Sequence, residues 1–363
     1  ISSTMNELSS FSPTERRNEV LLQLLFRAPQ TIKTEKLFEK FFISETVMNK
    51  DSLIIADQLR HHRLELVRKG KTLAIHGSER AIRQFIIKAI AKLGITDYQS
   101  MRREFTDLST FDMQFMNEQM DYIERNLHST IPAPYNINLF SHMYILMKRY
   151  RQGILAGDAD EQLSPSEKKT IQENHALYDI SSHVIDHLSA YLNRDVSPIE
   201  KYYILQYLTS SRLLSPKVEN NEYSNQVLSL VDKIVVQMSK RYGSHIDSKE
   251  LRNDLAQHVK PLLNRLENGI SVDNSMLQDI KAEYADVYKN TAEVVNDIFT
   301  KELKTTVSDD EAGFMALYFI KYLEQNPPKA NVLIMCASGI GTSELLRVKV
   351  KKLAKVTALI ALI

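Results

Sequence analysis

The feature that most constrains this chain is a helical pattern that occurs twice. Residues 139–154 align without gaps on residues 255–270, and both share the skeleton L-x2-H-x3-L-x2-R-x3-G-I. A second block at 196–207 matches 307–318 through the shared pattern V-S-x2-E-x2-[YF]-x3-Y. Two blocks repeated in the same order at similar spacing predict a duplicated helical domain of about 110 residues.

Composition places the chain among soluble, mainly helical proteins. Its 363 residues suggest two to four domains. Hydrophobic residues make up 43% and charged residues 25%, with only 10 Gly and 10 Pro, which favours helices over a turn-rich β fold. The net charge of +1 implies that any binding of nucleic acid or lipid depends on a local patch. No segment approaches the roughly 20 apolar residues that a membrane span needs.

Cysteine usage and the N-terminus indicate a cellular location. The single cysteine, Cys336, excludes an internal disulfide framework and a cysteine-based zinc site. The first residues lack the charged start and apolar core of a signal peptide. A reducing, cytoplasmic location is therefore expected, and no cofactor or metal is implied.

Residues 12–90 have the element order of a winged helix-turn-helix. Residues 12–15, Ser-Pro-Thr-Glu, combine an N-cap, a proline at the first helical position and a glutamate three residues on. A short helix is expected at about 34–40, and Ser44 is expected to cap the helix that follows it. Residues 64–75 then alternate around a glycine, as a strand, turn and strand do. Helix, helix, turn, helix and hairpin is the order of a winged helix-turn-helix.

A basic excess makes this N-terminal region a candidate for DNA binding. Residues 1–90 hold fifteen Lys and Arg against ten acids. The candidate DNA contacts, on the second helix of the motif, its end and the wing, are Asn49, Lys50, Arg60, Arg63, Arg68, Lys69 and Lys71. Three acids of that helix, Glu45, Asp51 and Asp57, would repel phosphates. A degenerate helix-turn-helix used for dimer packing therefore stays as the alternative.

Each repeat carries a histidine and an arginine seven residues apart. His142 and Arg149 in the first copy, and His258 and Arg265 in the second, lie two turns apart on one helix face. Neutral imidazole can accept a phosphoryl group near neutral pH. A guanidinium nearby would bind that phosphate bidentately. The simpler interpretation is a hydrogen-bonded pair with a structural role only.

The single cysteine opens a glycine-containing loop. A short buried strand at 331–335 leads to Cys336, and Gly339, Gly341, Thr342 and Ser343 follow before a helix resumes. Backbone N–H groups in such a loop bind anions and lower a thiol pKa. A cysteine phosphatase needs an arginine where Thr342 stands, so phosphocysteine is expected rather than phosphatase turnover. The alternative is a structural cysteine at the end of a strand.

Together these residues resemble the sugar phosphotransferase-system regulation-domain (PRD) transcription activators of the mannitol- and lichenan-operon type. The resemblance implies a mainly α fold. A Mga-like winged helix-turn-helix would occupy 1–95, and two tandem helical-bundle regulation domains would occupy 96–217 and 218–327. The start of an α/β domain like the galactitol-type IIB component would occupy 328–363. Thirty-six residues cannot close such a sheet, so a longer native chain is expected.

The resemblance also implies partners and phosphorylation sites. It carries phospho-accepting roles to His142 and His258, with the phosphocarrier HPr as donor, and to Cys336, with a IIA component as donor. Operator DNA and a homodimer are the other expected partners, and no enzyme activity is implied. Tyr207 and Tyr318 stand where the family commonly has a second histidine, so two of the four usual switch sites are expected to be lost.

Three further interpretations stay open from the sequence. An RNA-binding antiterminator carries the same regulation domains, although it would begin with a small β-strand RNA-binding domain. A phosphocarrier enzyme acting through Cys336 would leave the long helical scaffold unexplained. His183 and His187 form an i,i+4 pair, but without a third ligand they are expected on a helix surface rather than at a metal.

Overall fold

The structure is a computed structural model in which nine segments of the chain are described. They are residues 11–91, 98–105, 107–154, 163–211, 223–243, 246–325, 331–336, 348–349 and 357–362. The chain divides into two compact units. The first comprises Ile1–Asn221 with Pro261–Ser275, and the second comprises Glu222–Lys260 with Met276–Ile363. Fifteen α-helices lie in the described segments, which confirms the expected mainly α class.

The N-terminal part of the first unit is a winged helix-turn-helix. Its elements are α1 (Pro13–Arg27), β1 (Ile32–Lys33), α2 (Thr34–Phe38) with a 3-10 turn (Glu39–Phe41), α3 (Glu45–Arg60), β2 (Glu65–Lys69), β3 (Thr72–His76) and α4 (Glu79–Ala91). The strands form an antiparallel sheet in the order β1-β3-β2. The predicted helices and hairpin are confirmed. The two-residue strand β1 and the helix α4 after the wing were not predicted.

Local capping explains where the helices of this region begin. The backbone N–H of Glu15 donates to Ser12 Oγ at 3.2 Å, and the Glu15 carboxylate accepts the N–H of Ser12 at 2.8 Å. This reciprocal pair confirms the capping box. Ser44 likewise accepts the N–H of Val47 and begins α3. Gly70 has φ +57° between β2 and β3, a conformation that favours glycine in the tight turn of the wing.

The two repeats fold into the same series of five helices. In the first copy these are α6 (Thr110–Leu127), α7 (Tyr135–Arg151), α8 (Pro165–Glu173), α9 (His175–Leu192) and α10 (Ile199–Ser210), preceded by α5 (Tyr98–Glu104). In the second copy they are α11 (Asn225–Tyr242), α12 (Lys249–Asn268), α13 (Leu277–Glu283), α14 (Ala285–Leu303) and α15 (Asp309–Gln325). The predicted duplication is therefore confirmed at the level of the fold.

Helix α7 is the central helix of the first unit. Leu139, Phe140, Ile145 and Leu146 are completely buried on it. It packs against α6, α9 and α10 of its own repeat and also against α1 and α4 of the winged helix-turn-helix. A helix with apolar residues on nearly all sides is stable only when neighbours cover it all round. The winged helix-turn-helix and the first repeat are thus joined across the helix that carries His142.

The predicted strand before the cysteine loop is present in the second unit. Strand β4 (Asn331–Cys336) pairs in parallel with β5 (Thr357–Leu362), and Cys336 stands opposite Leu362. Parallel strands need a long connection, as in the opening of an α/β domain. Gly339, Gly341, Thr342 and Ser343 lie outside the described residues. Among the helices of the described segments, none is long and apolar enough to cross a membrane.

Candidate functional sites

The two repeated sequence blocks meet beside the histidine in each copy. In the first unit, the ring centroid of His142 lies 4.7 Å from that of Tyr207. In the second unit, the His258 ring lies 5.6 Å from Tyr318. Tyr207 and Tyr318, the last residues of the second repeated block, therefore stand against the histidines of the first block. The alignment of the blocks showed that they repeat, but it did not show that they pack together.

His142 is a buried imidazole with two unsatisfied nitrogens. Its side chain is 2% exposed, and neither ring nitrogen has a hydrogen-bond partner among the described residues. Burial lowers its pKa well below the ordinary value, and the positive charge of Arg83 acts in the same direction. The ring is therefore neutral near pH 7, which is the nucleophilic form. A cavity of about 40 Å³ beside it is lined by residues of α4, α7 and α10 and by residues 268–271.

Arg83 of α4 lies on this cavity and is held by two carboxylates. Its Nη1 and Nη2 donate to the two carboxylate oxygens of Glu200 in α10, each at 2.5 Å. Its Nε donates to Glu79, one turn earlier in α4, at 2.7 Å. Burial would lower the pKa of Arg83, but Glu200 and Glu79 outweigh that effect and raise it. Both members of the Arg83–Glu200 pair are buried.

Arg149 has no N–H group left to bind a phosphate beside His142. Its Nε and Nη2 donate to the carboxylate of Glu79 at 2.9 and 2.5 Å. Its remaining N–H groups donate to carbonyl oxygens at the end of α1, those of Leu25, Phe26 and Ala28. All five guanidinium donors are therefore engaged. Arg149 therefore does not make the phosphate contact expected from the sequence. Its hydrogen bonds instead connect α7 to the winged helix-turn-helix.

Arg265 repeats this arrangement at the end of another helix. Its Nη1 donates to the carbonyl of Ser210, the last residue of α10, at 2.7 Å, and its guanidinium lies 5.1 Å from the centre of the Tyr135 ring. It is 1% exposed. A cation at a helix C-terminus is stabilised by the partial negative charge of the unpaired carbonyls. In each copy the arginine of the repeated block thus binds the end of an earlier helix. Among the described residues, Arg149 does not form the hydrogen-bonded pair with His142 that was the simpler expectation from the sequence.

The glutamates of the second repeated block have different partners in the two copies. Glu200 accepts from Arg83 in the first unit. Its counterpart Glu311 lies 3.4 Å from Nε2 of His258 in the second unit, with both side chains at most 6% exposed. The negative charge of Glu311 therefore faces Nε2 of His258. Identical motif residues therefore create different surroundings for the two histidines.

The candidate DNA-contacting residues lie on α3, just after its end, and on the wing, and six of the seven are exposed. Arg68 of the wing donates to Asn49 of α3 at 2.9 Å, so the structure brings these two candidates together. The other five, Lys50, Arg60, Arg63, Lys69 and Lys71, are exposed. The ammonium group of Lys71 lies 3.8 Å from the Glu35 carboxylate, and both side chains are exposed. Cations on a recognition helix and its wing suit contacts with the DNA backbone.

Two residues of α3 do not behave as the sequence suggested. Asp51 was expected to repel phosphates, but it is 2% exposed and is paired with Arg16 at 2.7 Å and Arg17 at 3.3 Å. It fastens α3 to α1 and does not face outward. Leu53, which was not considered, is 71% exposed one turn after Asn49, a position that suits apolar contact with a base. An apolar residue on an otherwise polar helix face was its sequence signal.

The i,i+4 histidine pair of α9 stacks on an aromatic ring. His183 lies 3.9 Å from the ring centre of Tyr122 and 3.9 Å from that of His187. His187 is exposed and His183 is partly buried. In the part of the chain that is described, no group of three His, Cys, Asp or Glu side chains is placed to hold a metal ion.

Family profiles match both parts of this architecture. The PRD domain profile matches residues 117–211 and 232–322, which together make up about half of the chain. The Mga helix-turn-helix profile matches residues 3–89. The chain thus combines a helix-turn-helix domain with tandem helical domains. It belongs to the PRD-domain family, with a Mga helix-turn-helix domain at its N-terminal end.

Curated relatives extend over nearly the whole chain. The probable licABCH operon regulator of Bacillus subtilis (strain 168) is 24% identical over 355 residues, 93% of this chain and 53% of the relative. Transcriptional regulator ManR of the same organism is 23% identical over 357 residues, 94% of this chain and 52% of the relative. The GlcA/glcB genes antiterminator of Staphylococcus carnosus (strain TM300) is 22% identical over 298 residues, 80% of this chain and 99% of the relative. The chain spans about half the length of the first two.

Proposed function

We propose that this chain acts in a DNA-binding activator of a carbohydrate phosphotransferase-system operon. Phosphorylation of His142 and His258, and of Cys336, would control it. The observation that carries the proposal is the junction at α7. There a winged helix-turn-helix packs directly on the PRD helix that holds the buried histidine His142. A change of charge at that histidine therefore acts next to the DNA-binding region.

Operator DNA is the partner that the N-terminal surface supports. The exposed cations at the end of α3 and on the wing suit phosphate contacts, and Asn49 and Lys50 suit contacts with base edges. The burial of Asp51 removes one of the three acids that opposed this assignment. The two relatives from Bacillus subtilis are named as a probable operon regulator and as a transcriptional regulator, which supports the same proposal.

HPr is the proposed phosphoryl donor to the histidines, and a IIA component is the proposed donor to Cys336. His142 is held neutral by burial, and the carboxylate of Glu311 lies 3.4 Å from Nε2 of His258. A neutral imidazole is the form that accepts a phosphoryl group. The IIB-like domain at 328–363, the domain bounds 1–95, 96–217 and 218–327, the homodimer and the cytoplasmic location belong to the same proposal. No enzyme activity is proposed.

Phosphate mapping tests the control mechanism. The protein is incubated with phosphoenolpyruvate, enzyme I and HPr, with and without IIA, and acid-labile phosphate is mapped. Wild type is compared with His142→Ala, His258→Ala and Cys336→Ala. Histidine label is expected without IIA, cysteine label only with IIA, and each substitution should remove one site. Absence of label from both histidines would overturn the proposed control.

An RNA-binding antiterminator is the second candidate. The relative from Staphylococcus carnosus that is named as an antiterminator matches along 99% of its length. Residues 11–91 nevertheless form a winged helix-turn-helix. Gel-shift titrations at 50 and 200 mM salt compare the upstream DNA of its own operon with the leader RNA. Tighter binding of the DNA is expected. Tighter binding of the RNA would support the antiterminator instead.

A further inference from the structure

The cations around His142 come from the helix that follows the wing. Arg80, Arg83 and Lys88 of α4 line the cavity beside the His142 ring. In the described wall of that cavity, α7 and α10 contribute no lysine or arginine. The nearest arginine of the histidine's own block, Arg149, has all its donors engaged elsewhere. A negative charge on His142 would therefore meet the cations of the DNA-binding region.

Arg83 is the cation whose charge acts on His142. Its field is the electrostatic contribution to the lowered pKa of that imidazole. The ring nitrogens of His142 are buried and unsatisfied among the described residues, and they share the cavity with Arg83. Both terminal nitrogens of Arg83 donate hydrogen bonds to one partner, the carboxylate of Glu200. A guanidinium binds a phosphate with the same planar, two-bonded geometry.

We propose that Arg83 binds the phosphoryl group of phosphorylated His142 and gives up Glu200 to do so. This inference rests on the proposed phosphorylation of His142. In the transfer, the N–P bond of a phosphohistidine donor breaks and its electron pair returns to the donor imidazole. The lone pair of an unprotonated His142 nitrogen forms the new N–P bond. The two imidazoles together keep the same number of protons.

This exchange of partners would change which residues connect the winged helix-turn-helix to the first repeat. The phosphoryl group carries close to two negative charges, so it competes with the single charge of Glu200 for Arg83. Glu200 is 2% exposed and would lose its two hydrogen bonds from Arg83. A buried carboxylate that loses a bidentate cation is destabilised in place. Phosphorylation would thus replace the ion pair between α4 and α10 by an ion pair between Arg83 of α4 and phosphorylated His142 of α7.

Chemical phosphorylation separates this inference from the identity of the protein donor. Phosphoramidate transfers phosphate to histidine without HPr. The full chain is treated with phosphoramidate, and label at His142 and His258 is quantified by mass spectrometry. His258 serves as an internal control, since it lies in the second compact unit. Arg83→Gln and Glu200→Gln break the same ion pair but remove opposite partners, and Arg83→Lys keeps the charge alone.

The two glutamine variants have opposite expected outcomes. Arg83→Gln should lower the ratio of His142 label to His258 label by roughly tenfold or more, the size of a lost charge-assisted contact. Glu200→Gln should leave the ratio unchanged or raise it, because Arg83 is released. Arg83→Lys should fall between wild type and Arg83→Gln.

Three results would overturn the inference. The first is an equal drop in both glutamine variants, which shows a structural role only. The second is an unchanged ratio in Arg83→Gln. The third is label at His258 without label at His142 in wild type. That third result leaves the proposed function standing through His258, whereas the mapping with HPr tests that function independently of Arg83.

Discussion

Arg83 and Glu200 are 117 residues apart in the sequence and form a buried ion pair with two hydrogen bonds. The pair fastens α4, the helix after the wing, to α10, the last helix of the first PRD repeat. Glu311, the counterpart of Glu200 in the second repeat, lies against His258 instead. In one copy the glutamate of the duplicated motif therefore connects the repeat to the winged helix-turn-helix, and in the other copy it lies beside the histidine.

Loss of one partner of this pair should destabilise the first unit. Glu200→Gln should lower the free energy of unfolding by about 3–5 kcal/mol, because the two terminal nitrogens of the buried Arg83 guanidinium lose their charged acceptor and only Nε keeps its bond to Glu79. The double variant Arg83→Met with Glu200→Met should recover much of that loss. Urea unfolding followed by circular dichroism measures both. Glu173→Gln, which removes the exposed pair with Lys169, is the control and should change stability by less than about 1 kcal/mol. Equal effects at Glu200 and Glu173 would contradict this account.

The hydrogen-bonded connection that Arg149 makes between α7 and the winged helix-turn-helix should require arginine and not only a positive charge. Arg149→Lys keeps the charge but cannot reach Glu79 and three carbonyls together, so it leaves buried acceptors unpaired. We expect a loss of about 2–4 kcal/mol in the free energy of unfolding. Arg125→Lys is the matched control, since Arg125 is exposed and bonds one carbonyl of its own helix. An Arg149→Lys variant with unchanged free energy of unfolding would argue against a stabilising role for these hydrogen bonds.

Acid should destabilise the first unit through His142. The folded-state pKa of His142 is lowered, mainly by burial and also by Arg83, so the unfolded chain binds a proton more readily. Stability should be complete above the unfolded pKa of about 6.5 and decline below it, by up to about 1.4 kcal/mol per pH unit. His142→Gln should flatten that slope between pH 6.5 and 5. His175→Gln, at an exposed position at the start of α9, is the control. An unchanged slope in His142→Gln would show that His142 does not titrate in this way.

Binding to DNA should depend on the wing. Lys69→Ala and Arg68→Ala should each weaken binding to duplex DNA and reduce the slope of log affinity against log salt by roughly 0.9 per lost phosphate contact. Fluorescence anisotropy across a salt series measures the slope. Lys301→Ala, an exposed cation on α14, is the control. If the Lys301 variant lost as much affinity as the Lys69 variant, binding would not be centred on the wing.

Local patterns in the sequence were sufficient for the elements and the repeat. The caps at Ser12 and Ser44 and the turn at Gly70 follow from bonds within a few residues. The duplicated blocks showed two copies of one helical domain before any contact was known. The strand β1 was missed because two residues carry no periodicity, and its stability depends on pairing with β3.

Long-range partners could not be predicted from spacing. His142 and Arg149 are correctly placed on one helix, but the arginine binds carbonyls more than 120 residues earlier in the chain. Glu200 and Glu311 occupy the same motif position, and only the neighbouring α4 gives the first a guanidinium partner. A motif specifies residue types and local geometry, whereas the tertiary neighbour decides which role they take.

Comparing DNA affinity with and without histidine phosphate tests the central claim most directly. The full chain is phosphorylated with phosphoenolpyruvate, enzyme I and HPr, and its Kd for the upstream DNA of its own operon is measured at fixed salt. The account predicts a change of about 5- to 150-fold in wild type, the usual range of coupling between two sites. The change should be lost in the double variant His142→Ala with His258→Ala. Equal affinity of the phosphorylated and unphosphorylated wild-type protein would contradict the account.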